Sequence, residues 1–189
     1  DTATWGQVKQ SLDGQMYAAK AGNAAVKQES AVRVLGVGDA VDGASARLVR
    51  NANIAHLKIS SQQLEPGHVY TIWAIVFENP SACQDNCNGP DLGDPAVDGT
   101  VFGAVAGTVA DDDGTAKFTA HIAAGDDGYS DIFVGDGALD GPLSAEIHFI
   151  VRSHGPVIPD LIDEQLSTLQ GGCDVNACED VQFGVFLAP

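Results

Sequence analysis

The sequence predicts an all-β fold: an antiparallel β-sandwich, Greek-key or immunoglobulin-like, with one short helix and an N-terminal arm. Three observations predict it. From Ala31 onward the chain breaks into short apolar runs of strand length. Gly and Asp turn signals separate nearly all of these runs, and a single segment carries a helical pattern. With 189 residues and 44% hydrophobic side chains, the chain suits one domain, 31–189, preceded by the segment 1–30. A fold of that size buries roughly 70% of its unfolded surface, so its core needs no metal to hold it.

Residues 1–30 hold three of the five lysines, scattered Ala and Gly, and only weak periodicity. A short helix, an edge strand or a mobile arm all fit them. Strands are predicted over 31–37, 45–50, 53–60, 68–78, 100–109, 115–123, 131–134, 144–152 and 181–187. Asp111-Asp112-Asp113-Gly114 reads as a hairpin turn between 100–109 and 115–123, and Leu64-Glu65-Pro66-Gly67 joins 53–60 to 68–78 in the same manner. The helix is placed at 160–169, with Asp160 as its cap and Leu161, Ile162, Leu166 and Leu169 near one face.

Segment 68–78 is apolar on both faces: Val69, Thr71, Trp73, Ile75 and Phe77 alternate with Tyr70, Ile72, Ala74 and Val76. Such a strand is covered on both sides. The core covers one; a loop, the helix, the arm or a second subunit covers the other. Trp73, Ile75 and Phe77 are therefore the candidate assembly surface. An edge strand or the N-terminal arm is the candidate means of joining copies into a homo-oligomer.

The chain carries 26 acidic and 9 basic side chains, a formal net charge of −17. That balance excludes a non-specific nucleic-acid binder and electrostatic docking on anionic lipid. No apolar run is long enough to predict membrane insertion. Seven of the 20 Asp residues precede Gly, so much of the acidity is turn chemistry. The four cysteines form two close pairs, Cys83/Cys87 and Cys173/Cys178, in loops rich in Gly, Asn and Asp. An even count in such loops points to disulfides and an oxidising compartment, with local bridges the simplest pairing and cross-pairing of the two loops open. Zinc is the rival, although neither pair has the CxxC spacing of a zinc knuckle. A start at Asp1 without Met fits a secreted chain whose signal peptide has been removed, extracellular, cell-surface or periplasmic.

Alternation places His56, His121 and His148 on the outward faces of segments 53–60, 115–123 and 144–152, with Glu146 on the face of His148. Three imidazoles and a carboxylate would suit zinc or copper if those strands are neighbours; otherwise they are three separate solvated histidines. His68 and His154 read as turn or hydrogen-bonding residues. Loop 125–141 offers Asp126, Asp127 and Asp131, with Asp136 and Asp140, as oxygen ligands for calcium; Asp-Gly turns account for the same residues. No GxSxG elbow, phosphate-binding loop or nucleotide fingerprint is present.

The segments LEPGHVYTIWAIVFENPSAC at 64–83 and SAEIHFIVRSHGPVIPDLIDEQLSTLQGGC at 144–173 resemble an uncharacterised family of secreted bacterial β-sandwich proteins. In outline they are also similar to chordin-type (CHRD) domains and to Cu/Zn superoxide dismutase sandwiches. The resemblance implies the fold and the compartment, and copper or zinc at His148. Where such strands carry His-x-His, this one reads Glu146-Ile147-His148, so no catalytic residue is carried over. The expected function is that of a secreted, non-catalytic structural or binding module able to self-assemble. The alternative is an extracellular protein binding copper, zinc or calcium.

Overall fold

The computed structural model describes residues 25–84, 86–128 and 137–189. Two antiparallel sheets face each other. The first has four strands, in the order β1 (Val26–Ser30), β3 (Ser45–Asn51), β4 (Ile54–Ser61) and β7 (Ala116–Ala123). The second has five, in the order β2 (Arg33–Val34), β9 (Glu179–Phe186), β8 (Glu146–Pro156), β5 (His68–Phe77) and β6 (Gly99–Val109). The all-β sandwich is thus as the sequence predicts. Its one α-helix among the described residues, α1 (Ile162–Ser167), follows a 3-10 turn at Pro159–Leu161 inside the predicted helical segment. Val26–Ser30 forms edge strand β1, one of the three forms open to the first segment. Segment 131–134 lies outside the described residues, as do residues 1–24.

The core lies where period-two alternation places it. Leu48, Leu57, Ile59, Phe118 and Ile122 of the first sheet meet Ile72, Val76, Ile147, Phe149 and Val151 of the second, all almost fully buried. Each such side chain contributes roughly 1.5–3 kcal/mol by leaving water. Arg50 interrupts this apolar row. Its guanidinium is fully buried and donates to three carbonyls: Pro142 O at 3.1 Å, Ala145 O at 2.6 Å, and Leu187 O. Burial pushes its pKa down to about 10, against a smaller opposing pull from Glu146.

The Asp111–Gly114 turn is present, but it is not a hairpin within a sheet. Strands β6 and β7 belong to different sheets, so the turn is an arch, and the Leu64–Gly67 turn from β4 to β5 is a second one. The two arches hydrogen-bond to each other: Leu64 N–H donates to Gly114 O at 3.0 Å and Gly67 N–H to Ala110 O at 3.0 Å. Gly114 has φ +73°, and a Cβ there would stand 2.5 Å from Leu64 O. Turn residues fix a reversal of direction; which sheet the next strand joins is fixed by its partner, here β4 for β7.

Strand β5 has a second apolar face, and the same chain covers it. Trp73, Val101 and Leu169 cluster with Ile75, Leu92 and Ile150, while Phe77 packs with Val97 and Cys87. Two long connections lie over the five-stranded sheet: 78–98 between β5 and β6, and 157–178 between β8 and β9. Each is closed by a local disulfide, Cys83–Cys87 and Cys173–Cys178. The bridges are the local pairing, and no cysteine is free. Trp73 and Phe77 are buried beneath these loops, and Ile75 packs with them, so these three residues are not a surface for a neighbouring subunit. No helix among the described residues is long and apolar enough to cross a membrane.

Candidate functional site

The four metal candidates separate into two pairs on opposite sides of the sandwich. His56 and His121 are register partners on β4 and β7 and face outward from the four-stranded sheet. Glu146 and His148 lie on β8, on the outer face of the five-stranded sheet. The sequence showed correctly which way each side chain points. The two sheets carry those faces away from each other, so one ion cannot bridge the four residues.

Glu146 and His148 are engaged with one another. His148 Nε2 lies 2.7 Å from Glu146 Oε1, both are almost fully buried, and Phe77 packs edge-on against the imidazole at 5.0 Å. This is an internal polar clamp under the 78–98 loop. His154 is likewise structural. Its Nδ1 faces Gly171 O at 2.9 Å and its Nε2 faces Thr71 Oγ1 at 2.8 Å. A carbonyl can only accept, so Nδ1 carries the proton and Nε2 accepts from the Thr71 hydroxyl. Thr71 and His154 have the contact of a nucleophile and its base, but both are fully buried and out of reach of substrate. The sulfurs of Cys173 and Cys178 lie 4.0 and 3.8 Å from His154 Nδ1. Bonded to each other, they are not thiolates, and both His154 nitrogens are occupied, so the trio holds no metal in this oxidised state.

Burial, reinforced by Arg152, holds the His154 pKa below the usual histidine range against the opposing Gly171 acceptor and Asp180. The unfolded chain then takes up a proton near pH 6.5 while the folded chain does not. Stability conferred by the neutral ring is present above that pH and is lost as pH falls below it. The loss approaches about 1.4 kcal/mol per pH unit until the folded ring is also protonated. Urea midpoints of wild type and His154→Gln between pH 7.5 and 5 should diverge in slope, the variant being flatter. Parallel slopes would remove His154 as the titrating group.

The calcium candidates do not assemble among the described residues. Asp126 Oδ2 accepts the Ala123 N–H at 2.7 Å, which is turn chemistry, and Asp127 is exposed. Asp131 and Asp136 lie outside the described residues. His121 lines a cavity of about 290 Å³ with Asp126 and Asp127.

The outer face of the four-stranded sheet has features that strand signals alone did not reveal. Register aligns its outward residues in rows: Lys27–Val49–His56–His121, Glu29–Arg47–Lys58–Thr119 and Ser45–Ser60–Lys117. Among the described residues of these strands, Lys27, Arg47, Lys58 and Lys117, four of the chain's nine basic residues, stand exposed against one carboxylate, Glu29. The face is formally positive in a chain of net charge −17. A groove of about 560 Å³ runs over it, bordered by Arg47, Lys58 and Lys117 and by the hydroxyls of Ser45, Ser60 and Thr119. Arg47 sits directly opposite Lys58, a cross-strand pairing of like charges that costs stability. His56 and His121 stack in the adjoining row, ring centroids 4.2 Å apart and planes 18° from parallel. Partial burial, then His121 and Lys58, hold His56 below the usual histidine range, so it is neutral at neutral pH. Alternation already showed Lys58 and Lys117 pointing outward. Only the pairing of the strands, which brings them together with Arg47, was missing.

Comparison with known protein families, characterised proteins and solved structures returns no match to this chain, so what its site does has to be read from the site's own geometry.

Proposed function

We propose that the protein is a secreted, non-catalytic binding module whose binding surface is the outer face of the four-stranded sheet. Its partner is an anionic extracellular polymer, a carboxylated or sulfated polysaccharide. One observation carries the reading: Lys27, Arg47, Lys58 and Lys117 share one exposed sheet face of a strongly acidic chain, with like charges placed opposite each other. Glu29 opposite Arg47 offsets part of the repulsion, but Lys27, Lys58 and Lys117 face no carboxylate across the neighbouring strands. Neighbouring strands lie about 4.8 Å apart, so the cations form a stepped row that suits a repeating anion better than a single one. The hydroxyls between them can bond sugar oxygens. At physiological ionic strength fields fade over about 8 Å, so an approaching polymer meets this face and not the net charge of the chain. The two disulfides support an oxidising compartment. Among the described residues, the Thr71–His154 pair has the contact of a nucleophile and its base, and it is sealed from solvent.

The test is retention on a sulfated polysaccharide matrix in the presence of chelator. Wild type should bind at low salt and elute as salt rises, since screening removes the attraction. The double variant Lys58→Glu/Lys117→Glu should pass through unretained, while Arg33→Glu, on the other sheet, should behave as wild type. Equal retention of wild type and double variant would refute this surface. If wild type instead forms oligomers that the double variant does not, the face binds the acidic surface of a second copy.

A further inference from the structure

We propose that His56 and His121 form a surface metal site that takes Cu²⁺ through one nitrogen of each ring. The two residues are cross-strand partners on hydrogen-bonded antiparallel strands, one interior to the sheet and one at its edge. Both rings project from the same face with centroids 4.2 Å apart. Metal–imidazole bonds of about 2.0–2.1 Å place two adjacent ligand nitrogens about 3 Å apart. Side-chain rotation can make that adjustment without moving the strands. The backbone thus supplies the spacing in advance, and only side-chain freedom is lost on binding.

A second observation points to a ligand. His56 Nε2 is shielded from solvent and has no hydrogen-bond partner among the described residues. A shielded ring nitrogen without a partner is where a water or an ion belongs. The two buried histidines differ in this respect: His148 is bonded to Glu146, and His154 uses both nitrogens.

The surroundings choose the ion. The outward positions flanking the pair are Ile54, Lys58, Val49, Thr119 and Ala123, none of them a carboxylate. Asp126 and Asp127 border His121 from the loop after β7, but Asp126 already accepts the Ala123 N–H, and two carboxylates fall short of the roughly six oxygens that Ca²⁺ or Mg²⁺ takes. A structural Zn²⁺ asks for four protein ligands. Cu²⁺ stands highest in affinity for nitrogen ligands and accepts a square plane with two imidazoles and two waters. Lys58 opposes any cation, which further disfavours weakly held ions. The site shares the sheet face with the anion-binding row but does not depend on it, because its ligands are the two imidazole rings and its probe is the bare ion.

The test is titration of the full, disulfide-intact chain with Cu²⁺ at pH 7.5, followed by calorimetry against a glycine competitor and by electron paramagnetic resonance. The expected result is one ion per chain with two coordinated nitrogens. His56→Ala and His121→Ala should each weaken binding at least about tenfold, and His56→Gln should do the same while preserving bulk and polarity. His68→Ala controls for surface histidines in general and should leave affinity unchanged. Unfolding midpoints of every variant, measured alongside, separate loss of a ligand from loss of the fold. Copper affinity unchanged in His56→Ala, or lost equally in His68→Ala, would overturn the proposal, as would wild-type binding weaker than about 100 μM.

Discussion

Replacing Arg50 by alanine should cost about 3–5 kcal/mol of folding stability, a large share of the 5–15 kcal/mol that a domain of this kind holds. The side chain is fully buried at the end of β3. It reaches the carbonyls of Pro142 and Ala145, just before β8, and that of Leu187, just after β9. Gln28 Nε2 from β1 donates to the same Leu187 oxygen at 2.9 Å. One guanidinium therefore ties the first sheet to the segments that enter β8 and leave β9. Truncation leaves a cavity and strands the Pro142 and Ala145 carbonyls, which water cannot easily reach, while Leu187 O keeps the Gln28 donor; each orphaned group alone is worth about 1–3 kcal/mol. Arg50→Lys keeps the charge but offers a point donor in place of a planar fork, so it should fall between wild type and alanine. Arg50→Met fills the volume and satisfies no carbonyl, so it should stay close to alanine if hydrogen bonding dominates. Urea unfolding of the three variants orders the effects. A loss below about 1 kcal/mol for Arg50→Ala would mean that these carbonyls find other partners.

The sequence made some parts of this architecture legible and hid others for definable reasons. Alternation identified the inward faces of β4, β7 and β8 residue by residue, because period two is a local property. It also found both faces of β5 apolar, and the cysteine spacing allowed the local bridges that close the covering loops. What local pattern cannot contain is which strands become neighbours. His56 and His121 meet because β4 pairs with β7, while His148, with the same outward pattern, lies on the other sheet. The Asp-Gly turns raise the same problem: Asp111–Gly114 signals a reversal with equal clarity whether the chain stays in its sheet or arches to the next. Arg50 was hidden differently. It occupies an inward position that pattern reserves for an apolar residue, and the three carbonyls it meets, with the nearby Glu146, make a charge tolerable there.

A single methyl group on β6 should dislodge the cover of the second sheet. Helix α1 crosses the backbone of β6 so closely that a Cβ built on Gly107 would stand 2.0 Å from Leu166 O and 2.9 Å from Leu166 Cα. Four residues earlier, a Cβ on Gly103 would meet the Leu169 side chain at 2.6 Å. These two glycines are the groove in which the 157–178 loop rests, and Leu169 is the residue that seals Trp73. At Gly103 a flexible side chain can give way. At Gly107 the obstacle is backbone, held by the helix, by the Gln165 side-chain bonds to His154 O and Pro156 O, and by the Cys173–Cys178 bridge. Gly107→Ala should therefore cost about 2–3 kcal/mol, at the upper end for overpacking, because the whole loop must shift. Gly103→Ala should cost less. Gly36→Ala, with open space but φ +80°, should show only the backbone penalty of about 1 kcal/mol. Trp73 emission reports the movement directly, read in a Trp5→Phe background because the chain has two tryptophans. A red shift in Gly107→Ala with the core transition intact would show the loop lifting from a sandwich that stays folded. An unshifted spectrum and unchanged stability would mean that α1 does not rest on β6.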